Sequence, residues 1–408
     1  MRRATFLATT SSVAMLAYGM PSRGLAAPRV MLGDDVFIAE TWRELNGRGV
    51  GIVTNRTGAL GNGTHIVDAA RANPALNLKA LFAPEHGLRG DRPAGADVGS
   101  YVDERTGLPV YSLYGATRHP TAKMLEGIEV LLVDLQDVGA RPYTYVSTMA
   151  YVMQTAREHD IEVWVLDRPN PIGGLRVEGP VLEPHFSSFI GLYPIPERHG
   201  MTIGELARLF NDAFAINARL RVVAMRGWTR EMFWNETGLR WIPTSPNIPY
   251  ARTTMVYLAT GLVDQGGVNN GIGTDRPFEY AGGYGFDAQA FATTLATREI
   301  PGVHFEPVTW SPHSGFWAGK ALRGVRIDVT DPAIFPNVRT AVEVLAAARE
   351  QHKFIVANAA SMDRDWGTDR VRRGLLSGAS VDSIVAAWEP GLVAFAPLRE
   401  RALLYAKG

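Results

Sequence analysis

The chain contains no cysteine, which excludes disulfides, thiolate-held metal and lipid attachment through an N-terminal cysteine together. It has no surplus of either charge, since 41 lysines and arginines face 41 aspartates and glutamates. A balanced chain sets up no overall field for nucleic acid or for an anionic membrane surface, so polyanion binding is not its main role. The G-x-G-x-x-G fingerprint, a Walker sequence, H-E-x-x-H and a G-x-S-x-G elbow are all missing. Dinucleotide binding, P-loop chemistry, zincin-type proteolysis and the usual serine hydrolase therefore lose their local signatures. "TGALGNGTH" (57–65) is glycine-rich in the wrong spacing and reads as a turn. His86, His159, His185 and His199 are scattered, so neither a metal nor a cofactor is expected.

What remains is an ordinary globular composition, 46% hydrophobic and 20% charged over 408 residues, long enough for two cores. The first 27 residues stand apart. Arg2 and Arg3 precede an apolar stretch rich in Ser and Thr and then "GLAA", the build of an export signal rather than of a roughly 20-residue membrane span. A periplasmic or secreted location is expected, by a general or a twin-arginine route.

Downstream, "GVGIVTN" (49–55), "LKALFAPEHG" (78–87), "LPVYSLYG" (108–115), "IEVLLVDLQDVGAR" (128–141) and "IEVWVLDRPNP" (161–171) are aliphatic and β-branched without strict alternation. That is the pattern of parallel strands covered on both faces. Between the last two, residues 143–160 carry apolar side chains at helical spacing, giving a strand–helix–strand unit over 128–166. The expected fold is α/β, a Rossmann-like parallel-sheet domain over 28–258. After it, a strand near 323–331 and an amphipathic helix over 337–353 indicate a smaller C-terminal α/β domain, 259–408, that completes a cleft.

In open parallel sheets, ligands bind beyond the carboxyl ends of the strands. Polar groups gather at those ends here: Glu85 and His86; Asp134, Gln136, Asp137 and Arg141; Asp167 and Asn170. A lone aspartate after a strand usually caps the next turn or helix. Glutamate is a poor cap, which makes Glu85 the strongest single candidate. Tyr143 and Tyr145 offer a ring wall or helix packing. Further along, Asn247 sits in the rigid turn "SPNIP", and Asp275 and Arg276 lie in the long loop "GGVNNGIGTDRPFEYAGG" (266–283).

The runs "FAPEHGLRGD", "LYGATRHPTAKMLEGIEVLLVDLQDVGARPYTY", "VLDRPNPIGG", "GPVLEP", "IPERHGMTIGELA", "SPNIP" and "GIGTDRPFE" resemble those of the DUF1343 family, associated with exo-β-N-acetylmuramidases of the NamZ type. The resemblance spans nearly the whole chain beyond the leader. It implies a Rossmann-like domain, a smaller partner domain and an active site in the cleft between them. The implied activity is release of N-acetylmuramic acid from non-reducing ends of peptidoglycan fragments in cell-wall turnover. The family's acidic motif maps onto Glu85, and its "FEGTNVS" glutamate aligns with Asp264 in "VDQGGVNN", one methylene shorter.

Glycoside hydrolysis needs one protonated carboxyl for the leaving oxygen and an ionised group on the other face of the ring. Glu85 is the expected donor and His86 its orienter, with Asp134, Asp137 or Asp264 as the opposing charge. Gln136, Asp167, Asn170, His199, Asn247 and Asp275 are expected to hold substrate. Arg89, Arg141 and Arg276 are candidates for the lactyl carboxylate, with Arg141 favoured because it follows a strand end. Two other classes stay open. A periplasmic sugar-binding protein would share the cleft, and a metal-dependent hydrolase would draw on His86, Asp134 and His199 as ligands.

Overall fold

The computed structural model describes residues 29–89 and 99–406; segment 1–27, read above as an export signal, lies outside them, as do Gly90 and Asp91 of the "FAPEHGLRGD" run. Six strands build most of the first sheet: β1 Gly49–Thr54, β2 Asn77–Ala83, β3 Tyr101–Val102, β4 Pro109–Ser112, β5 Val130–Asp134 and β6 Glu162–Leu166. A short antiparallel pair, β7 Glu178–Val181 and β8 Pro196–Arg198, is followed by β9 Arg219–Val223, the seventh strand of that sheet. Its order is β3-β4-β2-β1-β5-β6-β9, parallel throughout except for β3 against β4. β1 and β5 are buried at every residue, which explains why their sequences do not alternate.

β1 pairs with β2 on one side and with β5 on the other, Val50 to Thr54 aligning with Val130 to Asp134. Crossovers therefore diverge at β1, and a crevice opens beyond the carboxyl ends of β1 and β5. The helix Tyr145–Glu158 covers the sheet between β5 and β6 with ten buried residues. Glu205, in the helix Ile203–Asp212, closes a capping box with Thr202 and forms a buried ion pair with Arg230 at 2.7 Å.

The C-terminal part carries a three-stranded antiparallel sheet, β10 Tyr280–Gly283, β11 Val303–Trp310 and β12 Leu322–Val329, in the order β10-β12-β11. Helix Ala288–Ala296 lies on β11 and β12 and against helix Asn337–Glu350, which packs on helix Ala251–Thr260; Asn337 bonds both Arg198 and the carbonyl of Met255. One hydrophobic core runs from Val53 through Phe278 and Val344 to Phe395 and Ala402, so both parts share it. The expected parallel-sheet domain and the smaller α/β partner are both present. The pair β7–β8 and the four helices after residue 358 are not expected from the sequence; the strands and three of those helices are short, at eight residues or fewer.

Candidate active site

Glu85 leaves the buried strand β2 through Pro84 and sits before an abrupt turn, with Gly87 N donating to Pro84 O at 3.1 Å. His86 adopts φ 71° there, a left-handed conformation that a non-glycine residue holds only under constraint from its surroundings. The turn aims Glu85 at the start of helix Tyr145–Glu158, where Thr144 Oγ1 donates to Glu85 Oε2 at 2.8 Å. His86 is buried beneath.

Three phenols back this carboxylate. Tyr143 meets Tyr145 and Tyr257 edge-on at 4.9 and 6.0 Å. All three are pushed up, first by burial, and the charge of Glu85 adds to each. Tyr145 is fully buried and its hydroxyl donates to Thr244 O at 2.5 Å, so it supports the site and is not an open wall for a sugar. Tyr143 is likewise packed rather than exposed.

Asp264 is exposed at the start of a single 3₁₀ turn, yet the walls around it remove enough water to raise its pKa. Beside it lies Asp365, at the end of helix Ala359–Trp366. Trp366 Nε1 donates to Leu262 O at 3.1 Å and Arg141 Nη2 to Asp365 O at 3.2 Å, which fixes that helix end against the Asp264 turn. Burial and then the neighbouring Asp264 charge push Asp365 up to about 7. The charge of Asp365 also bears on Tyr257, as that of Glu85 does. Sequence reading missed Asp365 because it arises inside a helix, in "DRDWGTD", far from any strand end.

Several expected site residues are engaged elsewhere. Asp134 receives Arg168 Nε at 2.5 Å, and the same guanidinium reaches Asp34 at 2.6 Å, all three buried beneath the crevice. With two carboxylates on one cation, burial pushes Asp34 up to about 7. Asp137 accepts from Gly139 N at 2.7 Å and faces His199 Nε2 at 3.2 Å, both side chains buried. Neither aspartate is free to oppose Glu85. Asp134 on Arg168 and His199 on Asp137 also leave no common ligand set with His86, and among the described residues no group of three or more candidate metal ligands occurs.

Asp167 accepts from Thr202 Oγ1, Gly204 N and the Tyr405 hydroxyl, at 2.7, 2.8 and 2.6 Å. It anchors a helix start, and burial pushes it up to about 6. Asn170 holds its own turn, donating to Met201 O and accepting from Ile172 N. Gln136 ties the crevice floor together through Asp137 O and Pro169 O at 2.8 and 2.7 Å.

Asn247 lies in a turn closed by Ser245, and Tyr250 rather than Asn247 takes the N-cap of the next helix. Asp275 is exposed in its loop.

The three arginines expected at a lactyl carboxylate are already paired. Arg89 pairs with Asp103 at 2.7 Å, Arg141 with Glu197, and Arg276 with Glu279 at 2.9 Å. Arg141 is 1% exposed and binds the carbonyls of Pro180 and Ile195 besides. It is a buried strut that positions Asp365.

The sequence pattern described as exo-beta-N-acetylmuramidase NamZ, N-terminal, matches residues 50–252, and its C-terminal counterpart matches 255–405. The peptidoglycan beta-N-acetylmuramidase NamZ of Bacillus subtilis (strain 168) is 43% identical over 380 residues, covering 93% of this chain and 92% of that protein. Two crystal structures of DUF1343 family proteins from Bacteroides fragilis NCTC 9343 share the fold. One has a TM-score of 0.87 at 34% identity, covering 93% of this chain and 99% of that one. The other has a TM-score of 0.76 at 28% identity, covering 93% and 100%.

Proposed function

Since the chain belongs to the NamZ family of exo-β-N-acetylmuramidases, we propose how its own residues divide the chemistry of releasing N-acetylmuramic acid from peptidoglycan fragments. The protein is a glycoside hydrolase. Glu85 donates the proton to the leaving oxygen at the non-reducing end. Asp264 supplies the negative charge on the other face of the ring, and Asp365 beside it retains a proton and donates a hydrogen bond.

The observation that carries this reading is the placement of Glu85 and the Asp264–Asp365 pair about one tyrosine cluster, with Thr144 holding one oxygen of Glu85. Two like charges in one desolvated cleft resist ionising together, which helps Asp365 hold its proton up to about 7. A sugar-binding protein has no use for that arrangement. The first test is hydrolysis of MurNAc-GlcNAc and of 4-nitrophenyl MurNAc and GlcNAc glycosides by the mature chain. Failure to release MurNAc from any of them defeats the reading. The leader supports export as a further proposal, checked by fractionating cells that express the full chain.

Asp365 gives a pH signature. Folded, it keeps its proton up to about 7, whereas an unfolded aspartate releases it near ~3.9. The stability this contributes is complete below the unfolded value and is lost as pH rises through the folded one. Relative to Asp365→Asn, which cannot ionise, the unfolding free energy of the wild type is therefore expected to decline between pH 4 and 8. Denaturant titrations at several pH values measure the difference. A difference independent of pH would take the retained proton away from Asp365.

A further inference from the structure

Beyond the carboxyl ends of β1 and β5, where the crossovers diverge, lies a cavity of about 490 Å³. Topological switch points of this kind are where open α/β sheets take ligands, and the volume suits a sugar with a substituent. Its described lining holds Arg29, Arg56, Arg168 and Arg240 and no acidic residue. Arg168 is engaged with Asp34 and Asp134, but no carboxylate lies in ion-pair range of Arg56 or Arg240 among the described residues. Arg29 and Asp35 both flank Gly61. The second cavity, of about 320 Å³, is different, because its Arg252 and Arg276 both end on Glu279.

The lining is also built for a polar ligand. Trp234 and Trp241 meet edge-on at 4.9 Å along one side. Trp234 Nε1 and Gln136 Oε1 are buried without a hydrogen-bond partner among the described residues, although both side chains line the cavity. Buried polar atoms left open in this way call for a ligand or water to complete them.

Tyr145 links this cavity to Glu85. Its hydroxyl donates to Thr244 O, next to the lining residue Pro243, and it senses the charges of both Glu85 and Arg56.

We propose that this cavity is the carboxylate subsite of the active site, with Arg56 pairing the carboxylate carried on the O3 arm of the muramyl ring. The inference rests on the muramidase reading above. An arginine suits the task because its planar fork matches a carboxylate in two parallel hydrogen bonds. The carboxylate is that of the lactyl group itself or of a first amino acid attached to it.

Two measurements test the subsite. The ratio of kcat/KM for 4-nitrophenyl MurNAc over the GlcNAc glycoside is expected to drop roughly 10- to 100-fold in Arg56→Ala and less in Arg56→Lys, as loss of a charge-assisted pair predicts. Fluorescence of Trp234 and Trp241 reads equilibrium binding of MurNAc, GlcNAc and N-acetylmuramoyl-L-alanine to wild type and Arg56→Ala. Tighter, Arg56-dependent binding of MurNAc assigns the lactyl carboxylate, and that of the alanyl compound assigns the peptide carboxylate. An unchanged glycoside ratio together with unchanged binding in Arg56→Ala overturns the proposal. If the wild type releases MurNAc from neither the disaccharide nor the 4-nitrophenyl glycoside, the muramidase reading falls by itself, while the binding series still decides the subsite.

Discussion

Glu85→Gln is expected to fold like the wild type and to lose turnover of MurNAc-GlcNAc by roughly 10²- to 10⁴-fold, the usual contribution of a positioned acid. The amide preserves the shape of the carboxyl and its contact with Thr144 Oγ1, so the strained turn at His86 is not disturbed. What it removes is the transferable proton. A 4-nitrophenol leaving group needs little protonation, so on that glycoside the loss should be much smaller. Comparing the two substrates therefore separates an acid from a residue that only binds. Full turnover of the disaccharide in Glu85→Gln would move the acid elsewhere, and equal losses on both substrates would give Glu85 a different role.

Arg168→Met is expected to cost stability on a scale the whole fold feels. It strips the cation from Asp34 and Asp134, both 0% exposed, and breaking one partner out of a buried ion cluster costs about 3–5 kcal/mol. A domain's entire stability is about 5–15 kcal/mol. The cluster also fixes the loop after β1, because Arg168 donates to Ala59 O at 3.3 Å. Denaturant unfolding measures the loss. Replacing Asp34 and Asp134 by leucine in the same chain should recover much of it, since a well-packed apolar substitute avoids burying charge. A loss below about 1 kcal/mol in Arg168→Met would contradict the paired geometry at its core.

The parallel sheet was legible because burial on both faces leaves a mark in sequence, an unbroken aliphatic run such as "VLLVD" in β5. The crowding of polar groups at strand ends was legible for the same reason, since each follows such a run directly. Which of them face the cleft was not. Asp134, Asp137 and Asp167 share the strand-end position of Glu85, but Arg168, His199 and Thr202 claim them from distant parts of the chain. Sequence spacing does not encode those partners.

Arg141 misled for a related reason, because Glu197 lies 56 residues away and pairs with it only after folding. Arg56 was readable in principle. It stands two residues after β1, in "VTNRTG", where the surrounding glycines drew attention to the turn and away from the cation.

The hydrophobic core that joins the two parts bears on how this molecule handles its ligand. A clamshell receptor closes around its cargo by swinging one lobe about a few loop residues, which requires lobes that touch lightly. Here Asn337 is bonded to Arg198 on one side and to Met255 on the other, and Trp366 is tied to Leu262. Swinging the lobes apart would tear packed side chains from Val53 to Ala402 out of contact. With the jaws held by this packing, a chain end meets a mould already formed, and wide swings of one lobe against the other are disfavoured.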